Sequence, residues 1–459
     1  MKLLKYNILL LSACLSTLYA SSSLKSSLEA NHTYEKKKPE SQGIDIGNGW
    51  LVMGDMRAGW LDYDYSNPAP TDESINKGHT DSQGFYVMPK LSIMSPKYNG
   101  LSAKATIVGA TDFGLNNHDD ESRNFVFDGN DNKSFALLQE AYISYEKDGH
   151  KFLIGREELS TPMVDADDWY MLANSFELAY YAYTDIDNVV LAGGYFYKMS
   201  GVWDSGANGT EFHSMSDASF VDDEDKKNAN DSGIVTLTFQ YDDSKNNNLQ
   251  VWNYYATDLY NTLFVQYDWT DDLDDFSYDL GFQFIDFQEV GKLKSNDFTK
   301  IDYSIYSARF DMKFTNGFDI ATGISKYTNG EGQGSTLGAW GGYPYFANGM
   351  IFHFFEPGSF QNALSTKVQL GFDLAKLGLE NTWIGYRYTY FDLDSDYSFS
   401  KDSAGNDDLN RAQGNMTLNG VRVSYTGDNG IYFTGTYEHV NLDNEPSTYA
   451  LRLIGGYKF

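Results

Sequence analysis

Leu-Asn-Gly-Val-Arg-Val-Ser-Tyr, residues 418–425, alternates apolar and polar side chains, with Val421 and Val423 on one parity and Arg422 and Ser424 on the other. Residues 449–459 repeat the pattern up to the last residue of the chain. Side chains alternate across a β-strand, so each stretch has one apolar and one mixed polar face. No long stretch shows the apolar spacing of three and four that an amphipathic helix needs. We therefore expect an all-β protein.

About eighteen such segments follow one another, each of roughly 9–14 residues, the length with which a tilted strand crosses a bilayer. Their connections alternate between short and long for most of the chain. Short turns opposite long outer loops are typical of an up-and-down barrel. The pattern predicts a transmembrane antiparallel β-barrel of about 18 strands. A 16-stranded barrel is the alternative, because Thr257–Asn261 is a short gap where a long loop should fall.

The composition excludes several classes of protein. The 459 residues carry a net charge of −30, which argues against nucleic acid as a partner because phosphates need a basic face. Aromatic residues make up 16% of the chain, which argues against disorder. The mean hydropathy is −0.46, and beyond the N-terminus no apolar run reaches the roughly 20 residues of a membrane-spanning helix. A soluble secreted β-protein and a transmembrane barrel remain.

The N-terminus, residues 1–20, has the pattern of a secretory signal peptide, with Lys2 and Lys5 before the apolar run Ile8–Leu15. We expect cleavage after Ala20, which would remove Cys14, the only cysteine. A lipoprotein cleavage site, which would leave a lipidated Cys14, is the alternative.

Residues 21–48 are interpreted as a short periplasmic extension and 49–459 as the barrel. The terminal aromatic Phe459, at the end of an alternating strand, resembles the signal read by the outer-membrane assembly machinery. The expected location is the bacterial outer membrane. The expected partners are outer-membrane lipid and lipopolysaccharide, the barrel-assembly machinery and small hydrophilic solutes, and the chain is expected to be a monomer or a trimer.

Motifs for catalysis are absent from the sequence. It has no His-Glu-x-x-His, no cysteine pair and no Gly-x-Ser-x-Gly, so we expect no enzyme, no catalytic residue, no metal site and no cofactor. Acidic stretches at 119–132, 217–231 and 394–408 could hold Ca²⁺ or Mg²⁺ bridging to lipopolysaccharide. They lack the ordered spacing of an EF-hand, and a solvated acidic surface is the alternative.

A long loop from Glu157 to Asn174, the third by our count, combines acidic and apolar residues. Its apolar side chains favour folding into the lumen, where they would be buried and would narrow a pore. Carboxylates around a water-filled constriction attract cations. An outer loop packed on its neighbours is the alternative. The predicted constriction residues are Glu157, Glu158, Asp165, Asp167, Asp168, Trp169 and Tyr170.

Five arginines fall on the polar parity of their strands and form a predicted basic wall of the lumen: Arg57, Arg309, Arg387, Arg422 and Arg452. By the strand count, four of them belong to strands 1, 15, 16 and 18, which become neighbours when a barrel closes. Because guanidinium binds carboxylate well, a basic wall facing the acidic loop would favour zwitterions and carboxylates. The alternative is that these arginines pair with interior acids such as Asp55, Asp311 or Glu438.

From about residue 50 to the end, the chain resembles the OprD family of outer-membrane porins in a series of ordered motifs. They are Gln139-Glu140-Ala141-Tyr142, Gly155-Arg156, Thr161-Pro162, Asp167-Asp168, Asn174-Ser175-Phe176-Glu177, Gly193-Gly194-Tyr195, Trp203-Asp204-Ser205-Gly206 and Trp340-Gly341-Gly342. The resemblance implies an eighteen-stranded monomeric barrel with an inward third loop and passive uptake of small, usually carboxylate-bearing solutes.

The family's basic lumen ladder is carried over only to Arg57, Arg387, Arg422 and Arg452, by strand parity. The chain departs from the family in being very acidic and sparing in arginine, which leaves cationic solutes open. The predicted function is a passive diffusion channel for small hydrophilic solutes such as amino acids, small organic acids, peptides and ions. The alternative is a non-transporting barrel, either a surface adhesin or a lipid-acting enzyme, in which the third loop lies outward or plugs the lumen.

Overall fold

The computed structural model describes residues 43–64, 82–116, 133–168, 171–200, 211–218, 233–295, 300–330, 336–352, 362–393, 415–443 and 445–459. Several predicted features lie outside these ranges. They are the signal peptide, most of the N-terminal extension, Trp169, Tyr170, the Trp203–Gly206 motif and nearly all of the acidic outer-loop stretches.

Within the described residues, eighteen long strands pair with their chain neighbours in antiparallel order. They are β1 (Leu51–Asp64), β2 (Ser82–Met94), β3 (Leu101–Ala110), β4 (Phe135–Lys147), β5 (His150–Glu157), β6 (Ser175–Ile186), β7 (Val189–Ser200), β8 (Ile234–Asp242), β9 (Asn247–Ala256), β10 (Tyr260–Asp272), β11 (Phe276–Glu289), β12 (Asp302–Phe314), β13 (Phe318–Tyr327), β14 (Leu364–Asp373), β15 (Thr382–Asp392), β16 (Met416–Thr426), β17 (Ile431–Leu442) and β18 (Glu445–Lys458). β18 also pairs with β1, with Arg452 opposite Leu61, so the sheet closes into a barrel. The predicted fold is confirmed.

The short gap that left the strand number open is a tight hairpin between β9 and β10. The Leu259 N–H donates to the Ala256 carbonyl over 3.1 Å, and Asp258 adopts a left-handed φ of 64°. Aspartate tolerates this conformation better than most residues. The two strands pair along their length, with Trp252 opposite Phe264, so the number of strands is eighteen and not sixteen.

The smaller elements lie at the ends of the barrel. Ile44–Asp45 folds back to pair with β1, and His213–Ser214 pairs with β7. The helix α1 (Gly291–Ser295) follows β11, and a 3₁₀ helix (Leu374–Leu377) follows β14. No helix among the described residues has the length and apolar character needed to cross a membrane.

The two faces of the wall have opposite chemical character. Met56 and Trp60 of β1 are 50% and 38% exposed on the outer face, which displays large apolar side chains from most strands. The inner face buries polar and charged side chains, among them Gln250, Gln266, Arg387 and Glu438. A barrel with an apolar exterior and a polar interior is built to stand in lipid, because the outer band replaces water with hydrocarbon.

Connections at the two ends of the barrel differ in length. One end, here called the turn end, has only short connections such as 148–149 and 315–317. The other, the loop end, includes the third loop (158–174) and the seventh loop (328–363). The described parts of both loops enter the barrel, and buried apolar side chains gather where they meet the inner wall, including Val164, Met171, Trp340, Tyr345 and Ile351.

Candidate functional site

The third loop crosses the inside of the barrel from β5 to the wall formed by β18 and β1. Its apolar side chains are buried: Leu159, Met163, Val164, Met171 and Leu172. Val164 forms an isolated β-bridge with Gly341 of the seventh loop, so the two loops touch inside the barrel. The predicted inward position of this loop is therefore what the structure has.

Asp168 of the third loop lies between two arginines of the opposite wall. Arg57 of β1 donates from Nη1 to Asp168 Oδ2 over 2.5 Å and from Nη2 to the Met171 carbonyl over 2.6 Å. Arg452 of β18 donates to the Asp168 carbonyl over 3.0 Å, and its Nη2 lies 3.7 Å from Asp168 Oδ1. We name Arg57, Arg452 and Asp168 the neck triad. Their side chains are 12%, 16% and 28% exposed, so the neck triad is partly open to water.

The other two aspartates of the loop lie next to the neck triad, Asp165 buried and Asp167 half-buried. Burial raises the pKa of Asp165 to about 7 and that of Asp167 to about 8, and the negative charge of Asp168 adds to both shifts. Arg452 opposes the shift at Asp167. Within the described residues, Asp167 Oδ2 is buried without a hydrogen-bond partner, which disfavours the ionised carboxylate. The charge of the loop therefore changes around neutral pH.

The two predicted glutamates lie on the wall rather than at the neck triad. Glu158 forms an ion pair with Lys90 of β2, and Glu157 is buried at the end of β5. Lys104 of β3 forms a further pair with Glu140, with Nζ 2.7 Å from Oε2. Neither lysine belongs to the basic wall predicted from the sequence, which contains only arginines, although the strand parity of both lysines marks them as inward-facing.

Four cations step down the wall from β18 to β3. In the order Arg452, Arg57, Lys90 and Lys104, each cation lies closer to the turn end of the barrel than the one before it. The strand pairing shows this, because each cation lies on the turn-end side of the residue that is directly opposite the preceding cation. Each has a carboxylate close by: Asp168 for both arginines, Glu158 and Glu140 for the lysines. This ladder differs in membership from the one that the resemblance implies, since it includes Lys90 and Lys104 and does not continue through Arg387 or Arg422.

The seventh loop also folds inward, which the sequence analysis did not predict. Its described segment, 336–352, runs along the inner wall from β10 to β17. Trp340 stacks on Tyr260 of β10, with ring centroids 5.1 Å apart. A high content of apolar side chains, which predicted the inward position of the third loop, is present in the seventh loop as well. These side chains are Trp340, Tyr343, Tyr345, Phe346, Ile351 and Phe352.

Two of the predicted wall arginines bind the backbone of this loop. Arg387 of β15 donates from Nη1 to the Gly349 carbonyl over 2.7 Å, and Arg422 of β16 donates from Nη2 to the Met350 carbonyl over 2.9 Å. The two residues are 0% and 3% exposed. Their charges therefore face the loop rather than water.

Glu438 of β17 completes this arrangement, and we name Arg387, Arg422 and Glu438 the seventh-loop clamp. Its carboxylate is fully buried and accepts backbone N–H groups over 2.6, 2.7 and 2.8 Å from Met350, Ile351 and Phe352. Hydrogen bonds to a charged group are stronger than neutral ones, so the clamp fixes the loop against the wall.

Arg309 of β12 is enclosed by acids. Its side chain is 1% exposed, and its nitrogens lie 2.8, 2.9 and 3.6 Å from the carboxylates of Asp268, Asp279 and Asp311. The ring of Phe346 lies 5.0 Å from its guanidinium carbon. Of the five arginines, only Arg57 and Arg452 thus face the third loop, and contact of all five with a solute stays a prediction.

Solved structures share this architecture, whereas no protein-family model and no curated protein matches the sequence. A BenF-like porin from Pseudomonas fluorescens Pf-5 is 15% identical with a TM-score of 0.67, over 90% of this chain and 99% of that one. Acinetobacter baumannii OccAB3 is 13% identical with a TM-score of 0.69, over 90% and 99%. Pseudomonas aeruginosa OccK2 (OpdF), solved in complex with glucuronate, is 14% identical with a TM-score of 0.65, over 90% and 98%. This chain has the porin fold.

The resemblance to OprD-type porins is confirmed for the fold by these similarities. In this porin fold, the C-terminal residue belongs to the seam between β18 and β1. The Phe459 N–H donates to the Gly54 carbonyl and the Gly54 N–H to the Phe459 carbonyl, both over 3.1 Å. The Phe459 ring occupies the space where a side chain on Gly54 would lie. Its role as an assembly signal stays a prediction.

Proposed function

We propose that this chain is a bacterial outer-membrane porin, a passive diffusion channel for small hydrophilic solutes. The neck triad is the observation that carries the proposal, because it joins an inward loop to the opposite wall with charges that water still reaches. Charged groups around a narrow aqueous passage sort solutes by charge. Flux follows the concentration gradient of the solute, so the function needs no cofactor and no catalytic group.

Selectivity arises from the two signs of charge at the neck triad. Arg57 and Arg452 attract the carboxylate of a solute, while Asp168 and its neighbours Asp165 and Asp167 attract an ammonium group. Opposite charges facing each other favour small zwitterions such as amino acids over solutes of one sign. The structure of OccK2 with glucuronate supports the inclusion of small organic acids, since that porin fold was solved with a carboxylate-bearing solute.

The surroundings of the channel follow from the same architecture. The apolar outer face contacts outer-membrane lipid, with lipopolysaccharide around the loop end, and the assembly machinery reads Phe459. A monomer and a trimer both remain compatible with this proposal.

Single-channel recording in a planar bilayer tests the function directly. Purified, folded protein should give discrete conductance steps, and the reversal potential under a KCl gradient reports the balance of the two charges at the neck triad. A cation-leaning reversal would mean that the aspartates dominate, and an anion-leaning one that the arginines do. Folded protein without conductance steps would overturn the proposal in favour of a surface adhesin or a lipid-acting barrel.

A further inference from the structure

Three consecutive backbone amides of the seventh loop converge on one carboxylate. The N–H of Met350 donates to Glu438 Oε1 over 2.6 Å, and those of Ile351 and Phe352 donate to Oε2 over 2.7 and 2.8 Å. Successive backbone N–H groups turned to one point form an anion-binding concavity. Both oxygens of Glu438 are engaged in these hydrogen bonds.

The walls of this concavity are shaped for a carboxylate. Arg387 and Arg422 place two guanidiniums on the neighbouring carbonyls, which adds positive charge next to the bound anion. Gly349 leaves the necessary space, since a Cβ there would lie 2.8 Å from Glu438 Oε2. A buried anion needs such partners, because an uncompensated charge in the interior is strongly unfavourable.

We propose that the amides of Met350, Ile351 and Phe352 form a carboxylate-binding site that Glu438 occupies as an internal ligand, and that this occupancy keeps the seventh loop folded inside the barrel. Glu438 is tethered to β17, so its effective concentration at the site exceeds that of small carboxylates in solution. The loop therefore stays docked in the intact protein. Where the experiment measures single-channel conductance, the inference rests on the proposed function.

The decisive variant is Glu438→Ala, which removes four heavy atoms beyond Cβ that correspond to one acetate ion. The variant should release the seventh loop and show a larger single-channel conductance with less time in the wild-type conductance state. Because hydrogen bonds to a charged group favour one state by about tenfold or more, the dwell time in that state should fall by a similar factor. Replacing part of the KCl by potassium acetate at constant ionic strength should restore it in the millimolar range.

Two controls separate the site from general effects of the salt. Acetamide has the shape of acetate without its charge and should not restore the wild-type state. Glu289→Ala is the matched control variant, since Glu289 of β11 accepts one backbone N–H, from Ile301, outside the seventh loop. It should conduct like the wild type and respond to acetate only as the wild type does, through ion mobility.

Glu438→Gln tests the site in a barrel whose interior volume is preserved. Its side-chain amide turns an N–H group towards a backbone N–H group, so the loop should be released, and acetate should have no effect because the space is filled. Chymotrypsin cleavage after Tyr345 or Phe346 in detergent measures release without conduction, since both residues are buried in the docked loop. Cleavage should be faster in both Glu438 variants and should slow with acetate only in Glu438→Ala.

The outcomes distinguish this inference from the proposed function. Folded Glu438→Gln with wild-type conductance and wild-type cleavage would overturn the internal ligand, even if the protein conducts. Restoration of Glu438→Ala by acetamide as well as by acetate would also overturn it, because the site would then recognise shape and not charge. A wild-type barrel that never conducts overturns the channel, while cleavage still decides the role of Glu438.

Discussion

The third and seventh loops both fold into the barrel and touch at Val164 and Gly341, but the wall holds them by different means. The third loop is held by two arginines that bind the Asp168 carboxylate and two loop carbonyls, in a triad that is partly open to water. The seventh loop is held by buried side-chain charges that bind its backbone. A charged pair in contact with water can exchange partners at little cost, whereas a buried charge cannot.

This difference separates the wall arginines, which share the same strand parity in the sequence, into two groups with different surroundings. Arg57 and Arg452 keep access to water, so under the proposed function they would meet a passing solute. Arg387 and Arg422 are buried, with their donors committed to loop carbonyls and to wall side chains, so under the proposed function they would affect the width of the passage rather than its preference for charge. The comparison predicts that the two groups of variants change different electrical properties.

Arg387→Ala should give the largest effect, because it leaves the Gly349 carbonyl and the Gln369 side chain without their buried donor. Leaving a buried acceptor unsatisfied costs about 1–3 kcal/mol. At about 1.4 kcal/mol for each factor of ten, the docked state of the seventh loop should become less populated by about tenfold or more. Single-channel recording should show a larger conductance with only a small change in reversal potential.

The matched control for this prediction is Arg57→Ala, which removes the same side chain from the neck triad and leaves the clamp intact. Unchanged conductance in Arg387→Ala, with a shift in reversal potential larger than that of Arg57→Ala, would contradict the distinction. It would return Arg387 to the basic wall that the sequence suggested.

The double variant Arg57→Ala with Arg452→Ala should change selectivity more than conductance. It removes two positive charges from a partly open site and takes two cationic partners away from Asp168. We expect the anion-to-cation permeability ratio to fall by about tenfold, the lower end of what charged clefts achieve by focusing ions. Reversal potentials under a KCl gradient measure this ratio, and Asp168→Asn should shift it in the opposite direction. Shifts of the same sign in both variants would exclude the neck triad as the selectivity filter.

Strand pairing was predictable from the sequence because it follows from side-chain parity. A lipid-facing strand must alternate, so residues such as Val421 and Arg422 reveal their faces without any knowledge of their neighbours. Parity also placed Arg57 and Arg452 on the inner face, opposite an acidic loop that had to bury its apolar side chains.

The clamp could not be predicted in this way because it depends on where a loop backbone lies. In the sequence, Glu438 resembles any other acidic residue on the inner face of a strand. The partner that one would expect for it is an arginine on a nearby strand. In the structure it binds three amides of the seventh loop, far away in the chain. Backbone N–H groups carry no sequence signature, so parity reveals that a charge faces inward but not what it meets there.

The pH dependence of selectivity should be smaller than the effects of the arginine variants, because it acts through Asp165 and Asp167, which lie next to the neck triad. The pKa is about 7 for Asp165 and about 8 for Asp167, both raised mainly by burial, so these groups are neutral below their pKa and anionic above it. Raising the pH from about 6 to about 9 should add negative charge to the third loop and shift the reversal potential towards cations. The inward position of the third loop should also depend on pH, because its two aspartates have a higher pKa in the folded loop than in an unfolded one. This position is favoured at low pH and becomes less stable from about pH 4, the usual aspartate pKa, towards pH 8.

Replacing both groups, by Asp165→Asn with Asp167→Asn, should flatten the profile between about pH 6 and about pH 9, where ordinary carboxylates no longer titrate. Loss of the seventh-loop clamp should not change the pH dependence of the reversal potential in this interval. Glu438→Gln should therefore keep the wild-type slope even though its conductance differs. A slope that survives the double asparagine variant would mean that other groups titrate in the passage. A wild-type slope centred near pH 4 would mean that water reaches both aspartates, and that the third loop is held by the neck triad alone.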